Sequence, residues 1–507
     1  MNSFHVMLIL LSFCQWGTVL AKNSTKLSVL FIMVDDLRAT ANKEVNLTHI
    51  ARLARNSVTF TNAFAQQALC APSRTSLLTG RRPDSLHLYD AHSYWREQVG
   101  NFVTLPQYFK SHGYKTFSVG KIFHPGISSN YTDDYPYSWS EQPYHPPTLK
   151  YKNAPVCPDR QLKKRKRNLV CPVHVDHQPG KTLPDLESLD YAVDILEDKA
   201  LKKQPIFLAV GLQKPHIPLK FPKEFLKKVP FRKIIQPLQP NKPAGMPLVA
   251  WHPWVDVRRR DDIARLDIPM PMGIMPMEWT FRIKQSYFAA ALYIDDIIGA
   301  LLRRVDLKRF IVVITSDHGW SLGENGMWAK YSNSDFALKV PLIIHAPGYE
   351  PRLIDSPVEL LDIFPTLVEL AHLSHRKVPR CASLENVTDL CFDGKSLVRM
   401  MKGDTKPSAQ YAISQYPRPS KIPQINSDEP KLKDIKIMGY SIRTKRFRYT
   451  EWIGFNSMTF KKMWHKNFGT ELYDYALDPY ETENVHLKPE YKSLKYKLQK
   501  QLRSRVV

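Results

Sequence analysis

Four short apolar runs stand out along the chain, and each ends in polar residues. Leu27 to Val34 runs into Asp35-Asp36, and Tyr114 to Val119 into Gly120-Lys121 with His124 just beyond. Ile206 to Val210 is followed by Lys214-Pro215-His216, and Phe310 to Thr315 by Asp317-His318-Gly319. Unbroken apolar runs of this length are the pattern of strands covered on both faces, as in a parallel sheet. Between them the period becomes helical: Leu186, Leu189, Val193, Leu196 and Ala200 share one face, as do Tyr293, Ile297 and Leu301. The alternation predicts an α/β fold with a large, mostly parallel sheet between helices. In such sheets ligands bind outside the carboxyl ends of the strands. Four strands that place acids, lysines or histidines there predict one shared site.

From about Gly403 the pattern changes. Ile435 to Trp452 alternates apolar residues (Ile437, Tyr440, Ile442, Phe447, Tyr449) with basic ones, which predicts antiparallel strands with one wet face. The chain thus divides, at a linker over 402–408, into a main α/β domain (22–402) and a smaller C-terminal α+β domain (403–507). Pro136 to Pro158 and Pro237 to Pro276 are Pro-rich and read as long ordered loops, walls for a pocket.

Charge narrows the partners. Against 48 Asp+Glu the 507 residues carry 72 Lys+Arg, a net +24 with a pI near 9.6. That implies an anionic partner: nucleic acid, acidic lipid, or a sulfated or phosphorylated polymer. A hydrophobic content of 43% excludes global disorder. Beyond the first 21 residues no apolar run approaches the ~20 needed to cross a bilayer. The apolar stretch from Val6 to Leu20, closed by Val19-Leu20-Ala21, reads as a secretory signal peptide over 1–21. Sequons at Asn23, Asn46, Asn130 and Asn386 agree with that route. Of six cysteines, Cys14 leaves with the signal peptide. Cys157 with Cys171, and Cys381 with Cys391, each close a short loop, as disulfides do in an oxidising compartment. Cys70 is left over, as a dimer link, a buried thiol or a residue with chemistry of its own.

Asp35-Asp36 and Asp317-His318 would together offer hard oxygen donors and one imidazole. Such a set suits Ca²⁺ or Mg²⁺ and leaves zinc open. Aspartates are equally favoured in turns and helix caps, so neither pair decides alone. Cys70 does more. Cys70-Ala71-Pro72-Ser73-Arg74, followed by Leu78-Thr79-Gly80-Arg81, fills the pattern C-x-P-S-R-x-x-x-L-T-G-R in every position. This segment resembles the signature of the type I sulfatases, whose cysteine is oxidised to formylglycine. Gly120 to Gly126, Lys214 to Pro218, Thr315 to Trp320, Trp328 to Ser332 and Ser414 to Pro419 resemble one branch of that family, which removes 2-O-sulfate from iduronate residues of heparan sulfate and dermatan sulfate. In that branch His318 replaces the family's usual Asn. The resemblance spans Leu27 to Asp478.

The resemblance implies an alkaline-phosphatase-like sandwich and a defined set of roles. Asp35, Asp36, Asp317 and His318, with the modified Cys70, hold one Ca²⁺ per chain. The residue-70 hydrate attacks sulfur and releases the sugar alcohol. Arg74, Lys121 and Lys330 stabilise charge on the sulfate oxygens, His216 protonates the leaving oxygen, and His124 takes the proton that lets sulfate depart. Tyr94, Trp95, Asp134 and Trp320 would contact the sugar. Implied partners are a sulfated glycosaminoglycan and the formylglycine-generating enzyme, with no nucleic acid and no membrane span. The implied address is the lysosome through the secretory pathway, or the secreted medium. The competing readings are a sulfatase of another sulfated glycan, a two-zinc phosphatase or phosphonate hydrolase of the same superfamily, and a glycosaminoglycan-binding protein with unmodified Cys70. One addition to the family pattern is the basic run Lys163 to Arg167 inside the Cys157–Cys171 loop, either a solvated tip or a docking patch for a sulfated chain.

Overall fold

The computed structural model describes residues 26–159, 164–237, 239–373, 378–381, 389–404 and 410–506. The signal-peptide segment, Asn23, Asn386 and Lys163 lie outside them. Eight strands make the main sheet: β1 (Ser28–Val34), β2 (Val58–Phe64), β3 (Lys115–Gly120), β4 (Ile206–Leu212), β5 (Phe310–Ser316), β6 (Lys339–His345), β7 (Arg352–Ile354) and β8 (Val358–Glu359). Their order is β7-β2-β6-β5-β1-β4-β3, with β8 also paired to β2. All neighbours are parallel except β6, which runs against both β5 and β2. The four strands expected from the apolar runs are therefore contiguous at the centre and edge, β5-β1-β4-β3.

Their burial explains the missing alternation. From the second residue onward β1 and β5 are buried throughout, and β4 is buried over its whole length. Helices cover the sheet: α1 (Cys70–Thr79), α2 (Pro184–Glu197) and α3 (Met277–Leu302) among them. Ala200, expected on the α2 face, falls beyond that helix, which ends at Glu197. Register brings the carboxyl ends level. Val34 faces both Leu212 and Ser316, and Gly120 faces Gly211.

A second, four-stranded antiparallel sheet follows: β9 (Ala412–Arg418), β10 (Ile437–Arg443), β11 (Phe447–Asn456) and β12 (Lys461–Asp474), in that order. The expected wet face is absent here, since β9 and β10 are buried at every position. One face packs on the main core through Ala412, Tyr416, Ile437 and Trp452. On the other, Ile442, Tyr449 and Ile453 meet Leu498 and Leu502 of α4 (Lys492–Arg503). Polar positions survive burial by pairing: Arg448 with Glu481 at 2.6 Å, Arg443 with Asp335 at 3.0 Å. Both local disulfides form, Cys157–Cys171 and Cys381–Cys391, and Cys70 is free and buried.

One close approach fixes the site end of the sheet. At Gly211 a Cβ would collide with the Lys121 backbone, whose N–H donates to the Gly211 carbonyl at 3.0 Å. Gly211→Ala should therefore cost about 1–3 kcal/mol of stability, the range for overpacking, and displace Lys121. Urea unfolding checks the first effect and turnover the second.

Candidate active site

The aligned strand ends bring the expected residues together. Asp35 and Asp36 follow β1, Lys121 follows β3, His216 lies beyond β4, and Asp317 and His318 follow β5. Opposite them, Cys70 is the first residue of α1, a helix buried along all ten residues. Leu69 before it is extended and the αL residue Gly80 ends the helix, whose first turn sets Cys70 against the ends of β1 and β5. The helix is bolted down by Ser73 Oγ, which donates to the Asp317 carbonyl. Tyr331 donates its N–H to the Ala68 carbonyl.

Distances converge on residue 70. Lys330 Nζ is 3.1 Å from Cys70 Sγ, His318 Nε2 is at 3.3 Å and Asp35 Oδ1 at 3.6 Å. Lys121 Nζ donates to Asp35 Oδ2 at 2.7 Å, and Lys330 Nζ to Asp36 Oδ1 at 3.0 Å. Arg74, wholly buried, reaches Asp35 Oδ1 at 3.0 Å, Asp317 Oδ2 at 2.8 Å, the Ile122 carbonyl at 3.2 Å and the Lys121 carbonyl. One guanidinium thereby ties the ends of three strands to the helix.

Burial sets the electrostatics. It would raise the Asp35 carboxyl, yet Lys121, His216, Arg74 and Lys330 together hold it well below its ordinary value. Asp36 ends the other way: burial raises it, Lys330 opposes, and Asp35 adds repulsion. Burial would lower Lys121 and Lys330, but Asp35 and Asp36 respectively keep both above the usual lysine value. The Cys70 thiol is pushed by burial up to about 12, against Lys121 and Lys330. A thiol so far from ionising is a poor nucleophile.

The three histidines are all shifted down, chiefly by burial. His216 Nδ1 lies 2.6 Å from the Ile217 carbonyl, and His318 Nδ1 3.0 Å from that of Gly319. A carbonyl only accepts, so each neutral ring carries its proton on Nδ1 and turns an unprotonated Nε2 to the site. His124 Nδ1 is 3.4 Å from Ser128 Oγ.

A cation-shaped demand is visible. One ligand atom from each of Asp35, Asp36 and Asp317 lies within 4.8 Å of the others, and Asp36 with Cys70 and His318 forms an overlapping group. Asp36 Oδ2 is buried with no hydrogen-bond partner among the described residues. Its backbone is held at φ 64°, with its carbonyl accepting from Tyr287 Oη at 2.7 Å. Strained backbone at such a place is typical of functional sites. Three carboxylates and a neutral imidazole fit one divalent metal ion.

With this geometry in hand, comparison with known proteins is decisive. The sulfatase family pattern matches residues 28–373. The chain belongs to the sulfatase family. As a sulfatase it is a sulfuric ester hydrolase, and the family implies a metal and a formylglycine made from cysteine. Iduronate 2-sulfatase of Homo sapiens is 47% identical over 94% of this chain and 95% of its own length. The Mus musculus iduronate 2-sulfatase is 45% identical over 91% of each. Among solved structures, the phosphonate monoester hydrolase of Agrobacterium radiobacter superposes with a TM-score of 0.67 at 19% identity over 95% of each chain, a likeness of fold.

The four residues expected to contact the sugar are placed less simply. Trp320 lies beside the site, its ring 5.8 Å from Lys330 Nζ. Trp95 is fully buried in a small cluster with Leu86, Leu88 and Phe102. Asp134 is engaged by Arg96 at 2.6 and 2.9 Å, and that guanidinium covers the Trp95 ring. Tyr94 packs on the edge of Trp95. Two residues of this sulfatase went unnoticed in the sequence. Tyr287, inside α3, fixes the Asp36 backbone, and Lys152, in a Pro-rich loop, carries an ammonium without hydrogen bond or ion pair among the described residues. Burial, then repulsion from Lys121, lowers Lys152 to about 8.

Arg74→Met would strip Asp317 of its Arg74 ion pair and leave Asp35 with Lys121 as its remaining close cation. It should cost about 3–5 kcal/mol, the scale for breaking a buried ion pair, in chelator-treated protein. Added Ca²⁺ should recover part of the loss, read as the shift in urea midpoint with and without the ion.

Proposed function

We propose that this chain hydrolyses the 2-O-sulfate ester of iduronate residues in heparan sulfate and dermatan sulfate, in the lysosome. The convergence of Lys330, His318 and Asp35 on residue 70, in a chain nearly half identical to iduronate 2-sulfatases, carries the reading. A single Ca²⁺ would be held by Asp35, Asp36, Asp317 and His318, and when bound it offsets charge on a sulfate oxygen. Oxidation of Cys70 by the formylglycine-generating enzyme supplies an aldehyde hydrate, with one hydroxyl to attack and a second to expel sulfate.

The remaining work belongs to the chain's own side chains. Lys121, Lys330 and Arg74 present fixed positive charge where negative charge resides on the sulfate oxygens, and all three side chains are buried. His216, protonated at Nε2, gives that proton to the departing sugar oxygen; His124, neutral, accepts one from residue 70. Lys152 provides the free cation that a sugar carboxylate requires. Trp320 forms one wall, while Trp95 and Asp134 act through Arg96 to hold the neighbouring loop. Exposed Asn46 and Asn130 are open to glycosylation.

A 2-O-sulfated iduronate disaccharide should be desulfated at least 100-fold faster than glucosamine 6-sulfate or an aryl sulfate. Mass spectrometry should find residue 70 without its thiol, and elemental analysis one calcium per chain. Two zinc ions, an intact thiol or a reversed preference would count against the reading.

Acidity gives a separate check. Burial and then Lys152 hold His216 well below its usual value, so its protonated form grows only as pH falls. Activity on the disaccharide should rise from pH 7 towards pH 5. Lys152→Gln removes one repelling charge, so the limb on which activity falls with rising pH should move to higher pH while KM increases.

A further inference from the structure

Beyond the catalytic pocket lies a cleft of about 1060 Å³ whose wall carries more cations than carboxylates. That exceeds the roughly 300–1,000 Å³ of small-molecule sites, so it admits more than one sugar ring. Arg165, Lys223 and Lys227 line it, each exposed and without an ion-pair partner among the described residues. His174 and His177 stand on the same wall. Three carboxylates line it as well: Glu278 is occupied by Arg282 at 2.7 Å, Asp262 accepts from the Leu169 and Val170 N–H groups, and Glu224 is exposed next to Lys223 in the chain. Arg165 belongs to the short strand Lys164–Lys166, which pairs with Cys157–Asp159 inside the Cys157–Cys171 loop.

The cleft reaches towards the site through Lys152, an ammonium that feels the charges of Lys121 and Asp35. Gln178 lines both it and the adjoining cavity, which is walled by Lys152, Lys214 and Lys220. Gln178 Oε1 and Asn168 Oδ1, both on the cleft wall, have no hydrogen-bond partner among the described residues. Turning either amide towards the cleft costs its oxygen no bond and offers an acceptor to a hydroxyl. Cations for sulfate and carboxylate, with amide acceptors for hydroxyls, match a sulfated polysaccharide better than a nucleic acid duplex.

We propose that this cleft is an exosite that binds the sulfated glycosaminoglycan chain beyond the sugar being desulfated. The inference rests on the proposed glycosaminoglycan substrate and adds where the rest of the polymer lies. Its attraction acts between exposed charges and is screened over roughly 8 Å at physiological salt.

The test uses the full-length protein, an Arg165→Gln, Lys223→Gln, Lys227→Gln variant, and a charge-matched control with Lys492, Lys497 and Lys500 of α4 changed to Gln. A heparan sulfate dodecasaccharide should bind the cleft variant about tenfold more weakly, the scale of three exposed charge contacts, with a shallower salt dependence. The control should bind as the parent does, and disaccharide kcat/KM should be unchanged in both. Equal weakening by the control, an equal loss on disaccharide and dodecasaccharide, no loss on either, or equal parental affinity for a DNA duplex of the same charge would each overturn the exosite. If the parent binds the dodecasaccharide through the cleft yet leaves the iduronate disaccharide intact, only the substrate reading fails.

Discussion

Three buried carboxylates within a few ångströms of one another are the constraint on which this structure turns. Asp35, Asp36 and Asp317 cannot share such a space as anions without counter-charge. Arg74, Lys121 and Lys330 supply three cations, and their reach determines where the strand ends, α1 and the Lys330 loop must sit. The balance is uneven. Asp35 is surrounded by positive charge, whereas Asp36 keeps a bare buried oxygen and a raised carboxyl. That deficit is where a divalent ion belongs, and such an ion would tip the balance around Cys70 to net positive, as a sulfate ester requires.

Much of this was legible in the sequence because parallel strands are simple signals. β1, β3, β4 and β5 are covered on both faces and read as apolar runs, and the abrupt switch to Asp, Lys or His marks their carboxyl ends. The Cys70 segment was legible for another reason: a helix start, an anion site and an unpaired cysteine coincide. β2 and the reversed β6 were not singled out. Lys152, Tyr287 and Gln178 were also invisible, since their importance comes from long-range contacts that no local period encodes. The wet face expected over Ile435 to Trp452, in β10 and β11, failed because alternating polar residues normally mean solvent. Here Arg443, Arg448 and Glu451 are instead paired with Asp335, Glu481 and Arg503 between two cores.

The net positive charge likewise resolves into distinct places. Some cations are consumed by buried pairs, as at Arg74 and Arg448; others, such as Arg165, Lys223 and Lys227, stand free along one cleft. Composition alone could not separate these uses, although they differ in consequence. Paired cations hold the fold, and free ones act on whatever anion approaches.

The burial of α1 also imposes an order of events. Every residue from Cys70 to Thr79 is buried, and the turn is locked by Ser73 and Arg74 contacts to Asp317, which arrives over two hundred positions later in the chain. Any enzyme that must grip this segment to oxidise Cys70 has to do so while the polypeptide is still open. Folding and modification therefore compete for the same nascent chain. A molecule that closes first carries a perfectly formed pocket around an inert thiol and has no way back short of unfolding. If Cys70 is oxidised as proposed, the yield of active protein is set by a race against the chain's own collapse.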